Sequence, residues 1–272
     1  MMSRWSRPIA AFSLFALGLL PGMAAAAPCG NDGSGFPAWK AAFAQEAARA
    51  GVGNRGLQAL ANAQYASRTI AADRNQKSFK YSLDKFMQVR GASTIVAQGR
   101  TRKARNAQFY NALEQRYGVP AGVLIAIHGM ETGFGGFMGD SRVVSAITTL
   151  AYDCRRSAFF VPHAIGALKL VDQGTITGDT RGAKHGELGH TQFLPGNALK
   201  YGVDANGDGR VDFYSQADAL ASTANYLRQK GWQPGQGYQE GQPNFRAIRE
   251  WNAAGVYQKA IAIMAAQIDA GG

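Results

Sequence analysis

The sequence lacks most of the features that would settle its chemistry at a glance. Its two cysteines, Cys29 and Cys154, allow neither a zinc-finger spacing nor a dense disulfide framework in 272 residues. There is no Walker loop, heptad array or internal repeat, which removes P-loop nucleotide binding, coiled-coil assembly and solenoid folds. Alternating strand patterns are scarce, and only "RVDFY" suggests a short extended piece. Acidic residues are the minority, Asp and Glu totalling 18 against 29 Lys and Arg, for a net charge of +11. Beyond residue 27 no segment is long and apolar enough to be a membrane span.

What is present begins with a leader. "MMSRWSR" is basic, "PIAAFSLFALGLLPG" is apolar but short for a span, and "MAAAAP" offers small-residue cleavage sites, most simply after Ala27. The expectation is a signal peptide over 1–27 and one exported domain over 28–272. Losing Arg4 and Arg7 with the leader takes the charge from +11 to +9, which favours an anionic partner. No nucleic-acid motif or basic stripe accompanies it, and an exported protein meets the cell wall or a membrane surface first. Export also makes Cys29 and Cys154 a disulfide candidate; two buried thiols are the alternative.

Helical periodicity dominates the rest. "FPAWKAAFAQEAARAG", "NRGLQALANAQYA", "SFKYSLDKFMQV", "RNAQFYNALEQRYG", "SRVVSAITTLAYD", "SAFFVPHAIGALKLVDQG", "ALASTANYLRQKGW" and "VYQKAIAIMAAQI" all read as helices. "PAGVLIAIHGMET" reads as a buried helix starting after Pro120, with Glu131 at its C-terminal end. Two glycine-rich polar stretches interrupt the pattern, 180–198 and 204–213, and such loops on a helical scaffold are where sites usually lie.

Glu131 stands between that apolar helix and the glycines of "GFGGFMGD". Apolar surroundings raise a carboxyl's pKa by desolvation, so the acid can stay protonated near neutral pH. The glycines let a polymer approach the backbone. Against this, a glutamate at a helix C-terminus could simply pair with Arg142 or Arg155. A glycosidase normally needs a second carboxylate, and Asp140, Asp153 and Glu187 are available, Glu187 being the best placed. In the loop "GELGHTQFLP", Gln192 can donate to and accept from sugar groups. Phe193, Tyr152 and Tyr226 could supply stacking surface, and His190 an acid or base, whereas His128 reads as a packed helix residue. "DANGDGRVDFYS" has the spacing of a calcium loop: Asp204, Asn206, Asp208, Arg210 at the seventh position and Asp212 at the ninth. Its twelfth residue is Ser215 in place of the bidentate glutamate, which leaves a metal-free Asx-rich turn as the alternative.

Together these blocks resemble the lytic murein transglycosylases of the B type. The resemblance runs from "CGNDGSGFPAWKAAFAQEAARAGV" through "RYGVPAGVLIAIHGMETGFGGFMGD", "ITTLAYDCRRSAFF" and "GELGHTQFLP" to "NFRAIREWNAAGVY". It implies a mainly α fold: a lysozyme-like helical catalytic core with additional helices and a calcium-loop-like insertion. It also implies a periplasmic enzyme acting on peptidoglycan glycan strands, with cell-wall machinery as a candidate partner. Glu131 would be the single acid and base that cuts the MurNAc–GlcNAc bond and leaves a 1,6-anhydro end. That chemistry needs no cofactor, and any calcium would be structural. Gln192, Asn225, Tyr226 and Tyr257 fall on the resemblance's cleft segments, and the Cys29–Cys154 pair matches relatives that keep both. His190 and Gly196 depart from the usual pattern of the QF loop. A hydrolase of the same bond and a non-catalytic wall binder are the alternatives.

Overall fold

A computed structural model describes residues 27–75 and 80–271. All of the expected leader except Ala27 lies outside the described residues. The chain forms thirteen α-helices among them: α1 (Phe36–Arg49), α2 (Asn54–Asn62), α3 (Ser67–Arg74), α4 (Leu83–Val89), α5 (Ala92–Arg105), α6 (Ala107–Tyr117) and α7 (Ala121–Thr132) come first. There follow α8 (Val143–Tyr152), α9 (Ser157–Gln173), α10 (Pro195–Tyr201), α11 (Gln216–Gln229), α12 (Phe245–Trp251) and α13 (Gly255–Asp269). The one described ladder pairs β1 (Ser141–Arg142) with β2 (Arg181–Gly182), antiparallel. "RVDFY" is not a strand: residues 211–214 run as coil and turn, and their N–H groups at Asp212 and Tyr214 go to aspartate side chains rather than to a neighbouring strand.

Helix α7 organises the core. Every residue from Ala121 to Thr132 except Glu131 is buried, as expected for a helix apolar on all sides. Pro120 precedes its first turn, and Gly133 ends it in the left-handed region at φ 57°. Val123, Leu124, Ile125 and Ile127 are fully buried, each worth about 1.5–3 kcal/mol relative to exposure. The helix packs against α5, α6, α11 and α13. Gly122 is required for this, since a Cβ there would collide with the Ala265 carbonyl of α13. The Gly122 N–H is an orphan donor of the first turn, and Asp269 Oδ1 accepts it at 2.9 Å.

A second layer gathers α2, α8 and α10 around α9. Cys29 and Cys154 are bonded, S–S 2.07 Å, and Gly30 pairs with Asp153 beside them. The block after α8 is fixed by ion pairs. Asp153 binds Arg74 at 2.6 Å, and buried Asp73 holds both Arg155 and Arg156. Among the described residues no helix is long and apolar enough to cross a membrane.

Candidate active site

Glu131 sits where α7 runs out of the core. It lines two adjoining hollows of about 220 and 500 Å³, so it stands at their junction. The smaller is walled by Glu187, Gln192, Phe193, Leu194, Asn197, Tyr226, Trp251 and Asn252. The larger adds Arg90, Arg156, Phe159, Phe160, His185 and Tyr257.

Two donors converge on one oxygen of the carboxyl. Tyr257, in the first turn of α13, donates its O–H to Glu131 Oε1 at 2.5 Å. Trp251, the last residue of α12, donates its indole N–H to the same atom at 3.1 Å. Among the described residues nothing donates to Oε2, the oxygen left for a ligand. Burial pushes the Glu131 pKa from the ordinary 4.5 up to about 7. The Tyr257 and Trp251 hydrogen bonds pull it back, the charge of Glu187 raises it further, and Arg90 lowers it. The arginines that could have paired with it are engaged elsewhere: Arg142 with Asp179 and Arg155 with Asp73. Asp140 pairs with Arg68. Glu131 therefore has no salt-bridge partner among the described residues.

Gln192 reaches the cleft from a tight hairpin. Leu188 and Phe193 exchange backbone hydrogen bonds of 2.8 and 3.0 Å, and the residues between turn through the left-handed region at Gly189 (φ 63°) and Gln192 (φ 56°). For a glutamine this costs on the order of 1 kcal/mol, a strain that clusters at functional sites. Gln192 Nε2 donates to the Gly189 carbonyl at 2.7 Å, which fixes the side chain and leaves Oε1 for a donor on a ligand. Thr132 clasps this loop to the end of α7 by donating to the His190 carbonyl at 2.7 Å.

Several expected site residues have other positions. Tyr152 is 3% exposed and packs with Phe36, Trp39 and Tyr65, away from the cleft; α8 turns it into the core. Phe193 does line the cleft but is 2% exposed. Its ring meets Trp251 edge-on at 5.2 Å and Tyr226 at 6.1 Å, so it is floor rather than stacking platform. Asn225 donates to the Tyr201 carbonyl and does not line either hollow.

His190 lies behind the wall. Its Nε2 faces the Tyr214 carbonyl at 3.1 Å, and a carbonyl can only accept, so Nε2 carries the hydrogen. Its Nδ1 must then accept from His128 Nε2 at 2.9 Å, leaving His128 Nδ1 bare and without a partner in the core. Burial lowers both pKa values, that of His128 to about 3. Two neutral, interlocked rings make a structural pair, not an acid or base for the cleft.

The 204–215 loop spends its side chains on its own backbone. Asp204 accepts the N–H groups of Gly207 and Gly209, Asn206 that of Asp208, Asp208 that of Arg210, and Asp212 that of Tyr214. Fully buried Asp218, on α11, accepts those of Ala205, Asn206 and Asp212. These are Asx turns. The oxygen donors suit a hard cation, yet no three acidic, His or Cys side chains stand together as a metal-binding group among the described residues.

A family model described as the transglycosylase SLT domain matches residues 35–241. The chain belongs to that family. A curated relative, membrane-bound lytic murein transglycosylase B of Escherichia coli K12, is 33% identical over 133 residues, 47% of this chain and 37% of that protein. The match therefore spans little more than a third of that relative's length. Among solved structures, SltB3 from Pseudomonas aeruginosa in complex with NAG-anhNAM-pentapeptide is 29% identical, with a TM-score of 0.78 over 87% of this chain and 80% of that one. The E. coli lytic transglycosylase Slt35 in complex with calcium is 21% identical, with a TM-score of 0.73 over 90% of this chain and 96% of that one, and shares the fold. The mainly helical, lysozyme-like architecture of these enzymes is the architecture seen here.

Trp251, Asn252, Arg90, Arg156, Asn197 and Phe160 were not singled out from sequence. The pair "WN" in "WNAAGVY" was the one available signal for the first two, since it closes a short helix directly before Tyr257.

The raised Glu131 pKa has a measurable consequence for stability. Its folded value lies above its unfolded one, so its favourable contribution is complete below pH 4.5 and is lost as pH rises through about 7. Glu131→Gln removes that loss. Denaturant unfolding should show the variant gaining on the wild type by up to about 3 kcal/mol between pH 4.5 and 8. Parallel pH dependence in both proteins would contradict the shift.

Proposed function

We propose that this protein cleaves the MurNAc–GlcNAc β-1,4 bond of peptidoglycan without water and leaves 1,6-anhydromuramyl ends. The observation that carries the reading is a carboxyl at the centre of a polar and aromatic cleft, held by Tyr257 and Trp251 and without a salt-bridge partner among the described residues; burial raises its pKa to about 7. Family membership supports the same reaction class.

The chemistry follows from the two oxygens of Glu131. In its protonated form it gives its proton to the glycosidic oxygen, which leaves with the bonding electrons. The muramyl acetamido oxygen closes on C1. The carboxylate now formed is held by Tyr257 and Trp251 through Oε1, two donors already aimed at the charge that develops. It then takes the proton of the C6 hydroxyl as that oxygen bonds to C1 and displaces the acetamido oxygen. One residue serves as acid and then base, and no added water enters. Gln192 Oε1 would accept from a sugar hydroxyl, while Trp251 and Tyr226 would line the path of the ring. The export signal over 1–27, a periplasmic location and a single catalytic unit over 28–272 complete this reading.

Purified wall sacculi incubated with the protein should release muropeptides with anhydro ends, each identified by mass spectrometry as one water lighter than its reducing form. Glu131→Gln should lower release by at least about 10³-fold. Reducing muramyl ends would instead show a hydrolase, and no product from the folded protein would leave a wall binder.

A structural calcium ion is the finer part of the reading. The Slt35 structure is a calcium complex, and here Asp204, Asn206, Asp208, Asp212 and the Arg210 carbonyl would hold it, with Asp218 at the base. Millimolar calcium should raise the melting temperature in a concentration-dependent way, and Asp204→Ala should abolish the rise. Identical melting in calcium and in chelator would leave the Asx turns as the loop's whole support.

A further inference from the structure

Glu187 has no part in that scheme, yet it occupies the same cleft. It lines both hollows, as Glu131 does. Its position is built rather than incidental. Glu187 Oε2 accepts the His185 backbone N–H at 3.1 Å, and Oε1 lies 3.4 Å from His185 Nδ1. His185 Nε2 in turn lies 3.9 Å from Oδ1 of Asp73, the buried acid that holds Arg155 and Arg156. Arg156 lines the cleft as well and feels the charge of Glu187. The groups facing Glu187 are therefore His185, Arg156 and Glu131, with Asp73 behind them.

An anion beside an acid that must later become an anion is costly unless a cation forms between them. The proposed reaction forms one. When the glycosidic bond breaks, positive charge builds at C1, and after the acetamido oxygen closes on C1 it spreads over the O–C–N group of the oxazolinium ring. That ring keeps its N–H, which now points positive charge outward. A fixed carboxylate already oriented toward that charge stabilises it better than mobile solvent does.

We propose that Glu187 is a second functional carboxylate of this reaction: it accepts the acetamido N–H of the sugar being cut and balances the positive charge that forms there, with His185 and Asp73 holding it in position. The inference rests on the transglycosylase reading above. No bond to Glu187 forms or breaks. The proton leaves Glu131 for the departing oxygen, the nitrogen keeps its hydrogen throughout, and the C6 hydroxyl proton returns to Glu131. Before reaction the like charge of Glu187 also helps keep the proton on Glu131.

The test uses Glu187→Gln and Glu187→Asp in the whole protein, with a soluble anhydro-forming muropeptide tetrasaccharide as substrate. Glutamine keeps the shape and an accepting oxygen but loses the charge. It should lower kcat about 10- to 100-fold while KM changes by less than about threefold. The alkaline limb of kcat/KM should also move to lower pH, because Glu131 gives up its proton more readily without a like charge nearby. Aspartate should recover part of kcat and keep the limb where the wild type has it. A folded Glu187→Gln protein with wild-type kcat and pH limb, or one whose whole loss lies in KM, overturns the proposal. If Glu187→Gln melts early, the aspartate variant decides: a kcat as low as that of an uncharged site and a displaced limb would overturn it. Wild-type protein that makes no anhydro ends would sink the underlying reading instead, so the two failures are distinguishable.

Discussion

The proposed reaction sets one demand: a carboxyl must hold its proton near neutral pH and become a stable anion a moment later. Burial at the end of α7 meets the first half by penalising the charged form. Placement at a helix C-terminus acts in the same direction, since the partial negative charge of the last carbonyls opposes an anion. The hydrogen bonds from Tyr257 and Trp251 meet the second half without cancelling the first. They bind one oxygen and leave the other without a donor among the described residues.

Much of the remaining architecture serves to hold those three side chains together. Helix α7 can present Glu131 only because α13 packs against it closely enough to need Gly122, and that same α13 carries Tyr257. Trp251 is braced by Phe193 and Tyr226 at ring distances of 5.2 and 5.3 Å, which ties it to the Gln192 hairpin and to α11. The His128–His190 pair and the Thr132 clasp join that hairpin to α7 from behind. On the far wall the disulfide and the Asp73 and Asp153 ion pairs fix the segment bearing Arg156. Apolar packing sets the distance between walls, and buried polar links set the register within them.

The helices with a clear apolar stripe were legible in the sequence, α7 above all, because Pro120 and Gly133 bracket a run that is apolar on every side. Helix α5 was missed: Ala92, Ile95, Val96 and Gly99 follow helical spacing, but Arg100, Arg102, Lys103 and Arg105 mask the pattern. Helices α3, α10 and α12 are too short to show a period. Glu131 was legible for the same reason as α7. Its hydrogen-bond partners were legible only in part: the resemblance put Tyr257 on a cleft segment, but Trp251 and Tyr257 lie 120 and 126 residues away, and only the fold shows that both meet the carboxyl. Tyr152 illustrates the opposite limit, because an aromatic on a helix gives no hint of which side it faces. Asp153, available from sequence as a second carboxylate, is instead tied to Arg74 from 79 residues upstream, a partner that no local pattern marks.

The most direct measurement of this account is the titration of the Glu131 side chain itself. Carbon-13 NMR of the glutamate carboxyls, with Glu131→Gln to assign the resonance, gives the midpoint without any assumption about substrate or product. The account predicts a midpoint near pH 7. A midpoint at the ordinary 4.5 would mean that Glu131 is already ionised at neutral pH, and the protein would then have no acid ready to break the bond.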